Sequence, residues 1–75
     1  MKFYKINFSY PDGHVEELED LFRSLEAAVD YGNSLLNQVR ATEITHGGST
    51  HDPNNAFFAV YEYDGNNHAV VYRSL

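Results

Sequence analysis

The chain has 75 residues, no cysteine, five Phe, six Tyr and a formal net charge of −6. That length predicts one domain whose core leaves a stability margin of only about 3–5 kcal/mol, and without cysteines neither a disulfide nor a thiolate zinc site can add to it. The acidic balance argues against direct nucleic-acid binding, because phosphate contacts need a basic surface.

No run approaches the ~18 apolar residues of a membrane span, so no membrane role is expected. Polar residues interrupt Phe3-Tyr4-Lys5-Ile6-Asn7-Phe8-Ser9 throughout, which leaves no uninterrupted apolar stretch for a signal peptide and suggests a cytoplasmic protein.

From Phe3 to Tyr10 the residues alternate. Tyr4, Ile6, Phe8 and Tyr10 share one face and Lys5, Asn7 and Ser9 the other, with Phe3 the exception. A period of two in aromatic and β-branched residues predicts a strand. Tyr10-Pro11-Asp12-Gly13 follows. Proline presets φ, Asp suits the next position and Gly accepts a positive φ, so a hairpin is expected. With Tyr10 facing His14, Lys5 falls opposite Glu19, Ile6 opposite Leu18 and Phe3 opposite Leu21, one charge pair and two apolar pairs. Glu16, Glu17, Glu19 and Asp20 project from both faces of the His14 to Phe22 stretch, as on an edge strand guarded against aggregation.

A competing pattern runs through the same residues. Val15, Leu18, Phe22, Leu25, Val29, Gly32, Leu36 and Val39 step by three and four, the spacing of a single helix from about residue 14 to 39. Ser24 favours two elements instead. It is a good N-cap where the clearer helix begins, Glu26 then sits in the first turn, and so long a helix would be unusual in a small domain. The expected fold is therefore a single α+β domain over residues 1–75. Its order is ββαββ, with a mixed or antiparallel four-stranded sheet and one helix packed on one face; the alternative is βαββ with one long helix.

Leu25, Ala28, Val29, Gly32, Leu35, Leu36 and Val39 make one apolar stripe, which defines the helix. Gly32 within it costs about 1 kcal/mol relative to Ala, which implies close approach of the helix to an aromatic side chain of the sheet. Residues 43–55 are expected to form a polar loop, long enough to be functional. Two β-rich runs, Ala56 to Tyr63 and His68 to Arg73, flank Asp64-Gly65-Asn66-Asn67 and predict a second hairpin. Phe57, Ala59, Tyr61 and Tyr63 share one face of its first strand and Phe58, Val60 and Glu62 the other. Apolar residues on both faces place that strand inside the sheet.

Three functional readings follow. The first is a non-enzymatic protein-interaction module. One helix covers only one face of a four-stranded sheet, so Tyr4, Tyr10, Tyr61, Tyr63 and Tyr72 cannot all lie beneath it, and those left outside would form a contact surface for another protein or a second copy. The second is an acidic regulator or inhibitor of a basic protein surface. Residues 12–30 hold seven acids and one base, so that segment carries the whole net charge, with Glu16, Glu17, Glu19 and Asp20 at its centre.

The third reading is a metal-dependent protein using His46, His51 and Asp52. These are chemically suitable ligands, but their spacing in a glycine-rich loop lacks the i, i+4 geometry of a helical zinc motif. Ser49 lacks a nucleophile elbow and Gly47-Gly48 lacks the remainder of a phosphate loop. No catalytic constellation or cofactor is implied.

Overall fold

The computed structural model describes residues 1–45 and 55–75. Their order is β1 (Lys2–Ser9), β2 (Val15–Glu17), α1 (Leu25–Thr45), β3 (Phe57–Asp64) and β4 (Asn67–Arg73). The four strands form one antiparallel sheet in the order β2-β1-β3-β4. This is the expected α+β arrangement of two hairpins about one helix, with β1 and β3 at its centre.

The first hairpin follows from Pro11-Asp12-Gly13. Gly13 N–H donates to the Tyr10 carbonyl at 2.9 Å, and Tyr10 N–H donates to the His14 carbonyl at 2.7 Å. Gly13 takes a φ of +92°, the left-handed residue that closes a three-residue loop. Asp12 Oδ1 accepts from His14 N–H at 2.8 Å.

The resulting register pairs Asn7 with Glu17, Phe8 with Glu16 and Ser9 with Val15. Leu18 N–H continues it to the Ile6 carbonyl at 2.9 Å. Beyond Leu18 the structure corrects the sequence reading. Residues 19–21 leave the ladder, and Phe22 rejoins it opposite Tyr4. Leu21 is therefore 60% exposed rather than paired with Phe3, and Lys5 binds Glu17 at 2.9 Å rather than Glu19. The shift keeps Phe22 on the side of the sheet that packs on the core, because a slip of two residues preserves the face.

The helix begins at Leu25 because Ser24 caps it. Ser24 Oγ accepts from Ala27 N–H at 3.1 Å, and the Ser24 carbonyl accepts from Ala28 N–H at 3.2 Å. A single helix from residue 14 is thereby ruled out. Ser24→Ala should lower stability by about 1 kcal/mol. Urea unfolding checks this, and a variant as stable as the parent would show that the cap contributes nothing.

The other end of the helix differs from expectation. It runs to Thr45, taking residues 43–45 from the expected polar loop. Arg40, Ala41 and Glu43 favour helix, and the first glycine after Gly32 is Gly47, so nothing within 40–45 breaks it.

Ile6 and Phe8 of β1, Phe58 and Val60 of β3, and Ala28 of α1 are fully buried, with Leu36 close behind. Gly32 lies on Phe58. A Cβ at that position would come 2.6 Å from Phe58 Cζ and 2.7 Å from Cδ2, so the glycine does permit the close approach that its place on the stripe implied. The second hairpin turns at Gly65 (φ +64°) and Asn66, directly between Asp64 and Asn67. β4 ends tied to β3: Ser74 N–H donates to the Phe58 carbonyl, and Ser74 Oγ accepts from Phe58 N–H, both at 2.9 Å.

Candidate functional site

Strand alternation and register decide which tyrosines are available. Tyr4 and Tyr10 lie on the same side of β1 as Ile6 and Phe8, and Tyr72 is opposite Val60, so all three pack around the core on the helix side. Tyr10 meets the Phe8 ring at 4.8 Å and Tyr72 meets Phe58 at 5.7 Å. Tyr4 Oη donates to Glu62 Oε2 at 3.0 Å, while Lys2 Nζ stands 3.7 Å from Glu62 Oε1. Of the five candidate tyrosines, only Tyr61 and Tyr63 occupy the open face.

They are joined there by residues that sequence reasoning set aside. Phe3 is opposite Tyr63, and Tyr63 is opposite His68. The Phe3 and Tyr63 rings stack at 5.1 Å with an interplanar angle of 1°, and Tyr63 and His68 stack at 5.4 Å and 22°. Tyr61 lies 6.4 Å from His68. An aromatic row thus crosses β1, β3 and β4. Phe3 had signalled this as the apolar exception among the polar residues of its face, whereas His68 reads locally as a turn-flanking residue.

The same face contains a cleft of about 450 Å³ lined by Asn7, Ser9, Val15, Phe57, Tyr61 and Arg73, among others. Tyr61 belongs to both features. Lys5 faces Tyr61 across the strands but is held by Glu17, which raises its pKa chiefly through their hydrogen bond, against the effect of burial. Arg73 forms no ion pair among the described residues. Among the described residues the open face therefore combines aromatic rings, amide and hydroxyl groups, the ion-paired Lys5, and Arg73 at its margin.

The acidic candidates gather at the β2 edge. Glu17 is engaged with Lys5, and Glu16 Oε1 accepts from Tyr10 Oη at 3.4 Å. Glu19 and Asp20 are exposed in the detour between Leu18 and Phe22. The hydrogen bond to Glu62, then burial and the Glu62 charge, raise the Tyr4 pKa. Burial first, and then the Glu16 charge, raise that of Tyr10.

Among the described residues, no three of His, Cys, Asp and Glu gather where they could hold a metal ion. His46, His51 and Asp52 lie outside the described residues, as do Gly47, Gly48 and Ser49. No described helix is long and apolar enough to cross a membrane. No protein-family model, curated protein sequence or solved structure matches this chain.

Proposed function

We propose that this protein is a non-enzymatic interaction module, working in the cytoplasm, that holds a segment of a partner protein on the open face of its sheet. The observation that carries this reading is the stacked row Phe3–Tyr63–His68 on the face opposite α1. Aromatic rings supply large contact areas and dominate the buried centres of protein interfaces. The neighbouring cleft adds Asn7 and Ser9 as hydrogen-bonding groups and Arg73 for a carboxylate at the rim. Lys5 is already neutralised by Glu17, so an apolar partner would not have to bury an unpaired charge beside Tyr61.

The acidic β2 edge supports a regulator of basic surfaces less well. Two of its four central acids already have partners within the fold, and charge on a short edge strand has a sufficient purpose in preventing strand pairing.

Affinity capture from native lysate at low and high salt separates the two readings. Truncating a central aromatic anchor typically costs about 2 kcal/mol or more of binding, roughly 30-fold. Tyr61→Ser with Tyr63→Ser should therefore abolish capture of the partner, while Glu19→Gln with Asp20→Asn should leave it intact at either salt concentration. Capture that survives loss of the tyrosines but disappears with the acids, or at high salt, would replace the aromatic-face reading with the acidic one.

A further inference from the structure

The two ends of the sheet are built differently. β2 has three residues, follows Pro11 and is crowded by Glu16, Glu17, Glu19 and Asp20. Shortness and charge are both devices that keep a second chain from pairing with an edge. β4 has seven residues, and from Asn67 to Tyr72 it contains no Lys, Arg, Asp, Glu or Pro. Most of its side chains are exposed, with Val71 at 40%. Among the described residues its only strand neighbour is β3. The ladder starts at the Asp64–Asn67 pair beside the two-residue turn. Hydrogen bonding alternates along an antiparallel ladder from such a pair, so His68 and Val70 direct their N–H and C=O groups away from β3. The register shift at Val60/Tyr61 makes Val71 the extra residue and leaves Asn67 to Val70 as the regular stretch.

We infer that β4 pairs antiparallel with β4 of a second copy of this chain, joining the two sheets edge to edge. Charge selects a second copy over a foreign strand. Pairing the regular stretch with itself about Ala69, so that His68 falls opposite Val70, brings no Lys, Arg, Asp or Glu opposite a like charge. Antiparallel pairing also directs the Arg73 end of each strand toward the Asp64 turn of the other copy, where the charges are opposite. The net −6 arises from residues 12–30, which include β2 and the start of α1. β2 lies three strand spacings from β4, about 14 Å, so the acidic β2 edges end up at the outer ends of the joined sheet. The two-fold relation is closed, which limits assembly to a dimer. It leaves both helices on one side and both aromatic rows on the other, each row ending at its own His68 beside the joint. This contact uses the backbone edge of β4 rather than the open face, and His68 is the residue the two have in common.

Sedimentation equilibrium of the full chain tests the inference, with Ala69→Lys and Val70→Pro as edge-blocking variants. Dimers are expected for the parent chain. Each variant should raise the dissociation constant by about tenfold or more while remaining folded by circular dichroism, since like charges or a missing N–H would then meet at the axis. Because the chain has no cysteine, Ala69→Cys should form an oxidised dimer much faster than Asn33→Cys on the exposed helix surface. This second measurement remains informative if an edge-blocking variant fails to fold. A parent chain that stays monomeric at its highest soluble concentration overturns the inference, as do equal cross-linking rates. A dimer dissolved by Tyr63→Ser but not by Ala69→Lys also overturns it, and assigns self-association to the open face instead.

Discussion

Phe58→Ala is expected to leave the chain largely unfolded in water. Removing a buried Phe side chain costs about 3–5 kcal/mol, and a domain of this size has a margin of similar magnitude. Phe58 is fully buried at the centre of the fold. Its ring lies beneath Gly32, 6.5 Å from the nearly parallel Phe8 ring and 5.7 Å from Tyr72. Deleting it removes the surface on which the middle of α1 rests, and a rigid helix cannot collapse into the gap. Amide chemical-shift dispersion and a urea titration provide the measurement. A cooperative transition with a loss below about 1 kcal/mol would mean that the neighbouring rings refill the site.

Gly32→Ala tests the same contact from the helix side, where the usual sign of the substitution should reverse. In an exposed helix interior, Ala is more favourable than Gly by about 1 kcal/mol. Here the added methyl overlaps the Phe58 ring, and overpacking of this kind costs about 1–3 kcal/mol. Phe58 cannot simply rotate aside, because Phe8 and Tyr72 flank it. A net loss of up to about 2 kcal/mol is expected once the propensity gain is subtracted. Phe58→Leu should relieve the overlap, so the loss caused by Gly32→Ala should shrink in that background. Denaturant midpoints of the four proteins in this double-mutant cycle provide the check. Additive losses would show that residue 32 and the ring do not interact.

Local chemistry made much of this fold legible. Pro11-Asp12-Gly13 specifies a hairpin whose register can be counted outward from Tyr10 and His14. Ser24 marks a helix start, and a glycine on an apolar stripe signals a close neighbour. The detour at residues 19–21 was not legible, because a slip of two preserves facing and leaves the alternation of apolar residues intact. The helix end was misplaced because Glu43 and Thr45 adjoin the glycine-rich polar stretch and so resemble loop by composition, while no Gly or Pro before Gly47 stops the helix. The aromatic row depends on pairing β1 with β3, residues far apart in the chain. Tyr61 and Tyr63 could be assigned to one face of their strand, but nothing local revealed that Phe3 and His68 flank Tyr63. Nor did local pattern place Tyr4, Tyr10 and Tyr72 on the helix side until β1, β3 and β4 were aligned.

The central position of β1 also sets the order in which this molecule can be assembled. β1 hydrogen-bonds on one side to a strand it meets after a short turn, and on the other to a strand beyond the helix, with Lys2 paired to Asp64. The first hairpin and α1 are local and can form early. The β1–β3 pairing must close a loop that runs at least from Ser9 to Phe57, and loop closure of that kind dominates folding time. A chain emerging from the ribosome therefore carries Ile6 and Phe8 without their β3 neighbours until Phe58 and Val60, some fifty residues later, have been made. Through that interval the inner edge of β1 is open, and the acids around β2 guard only the other side.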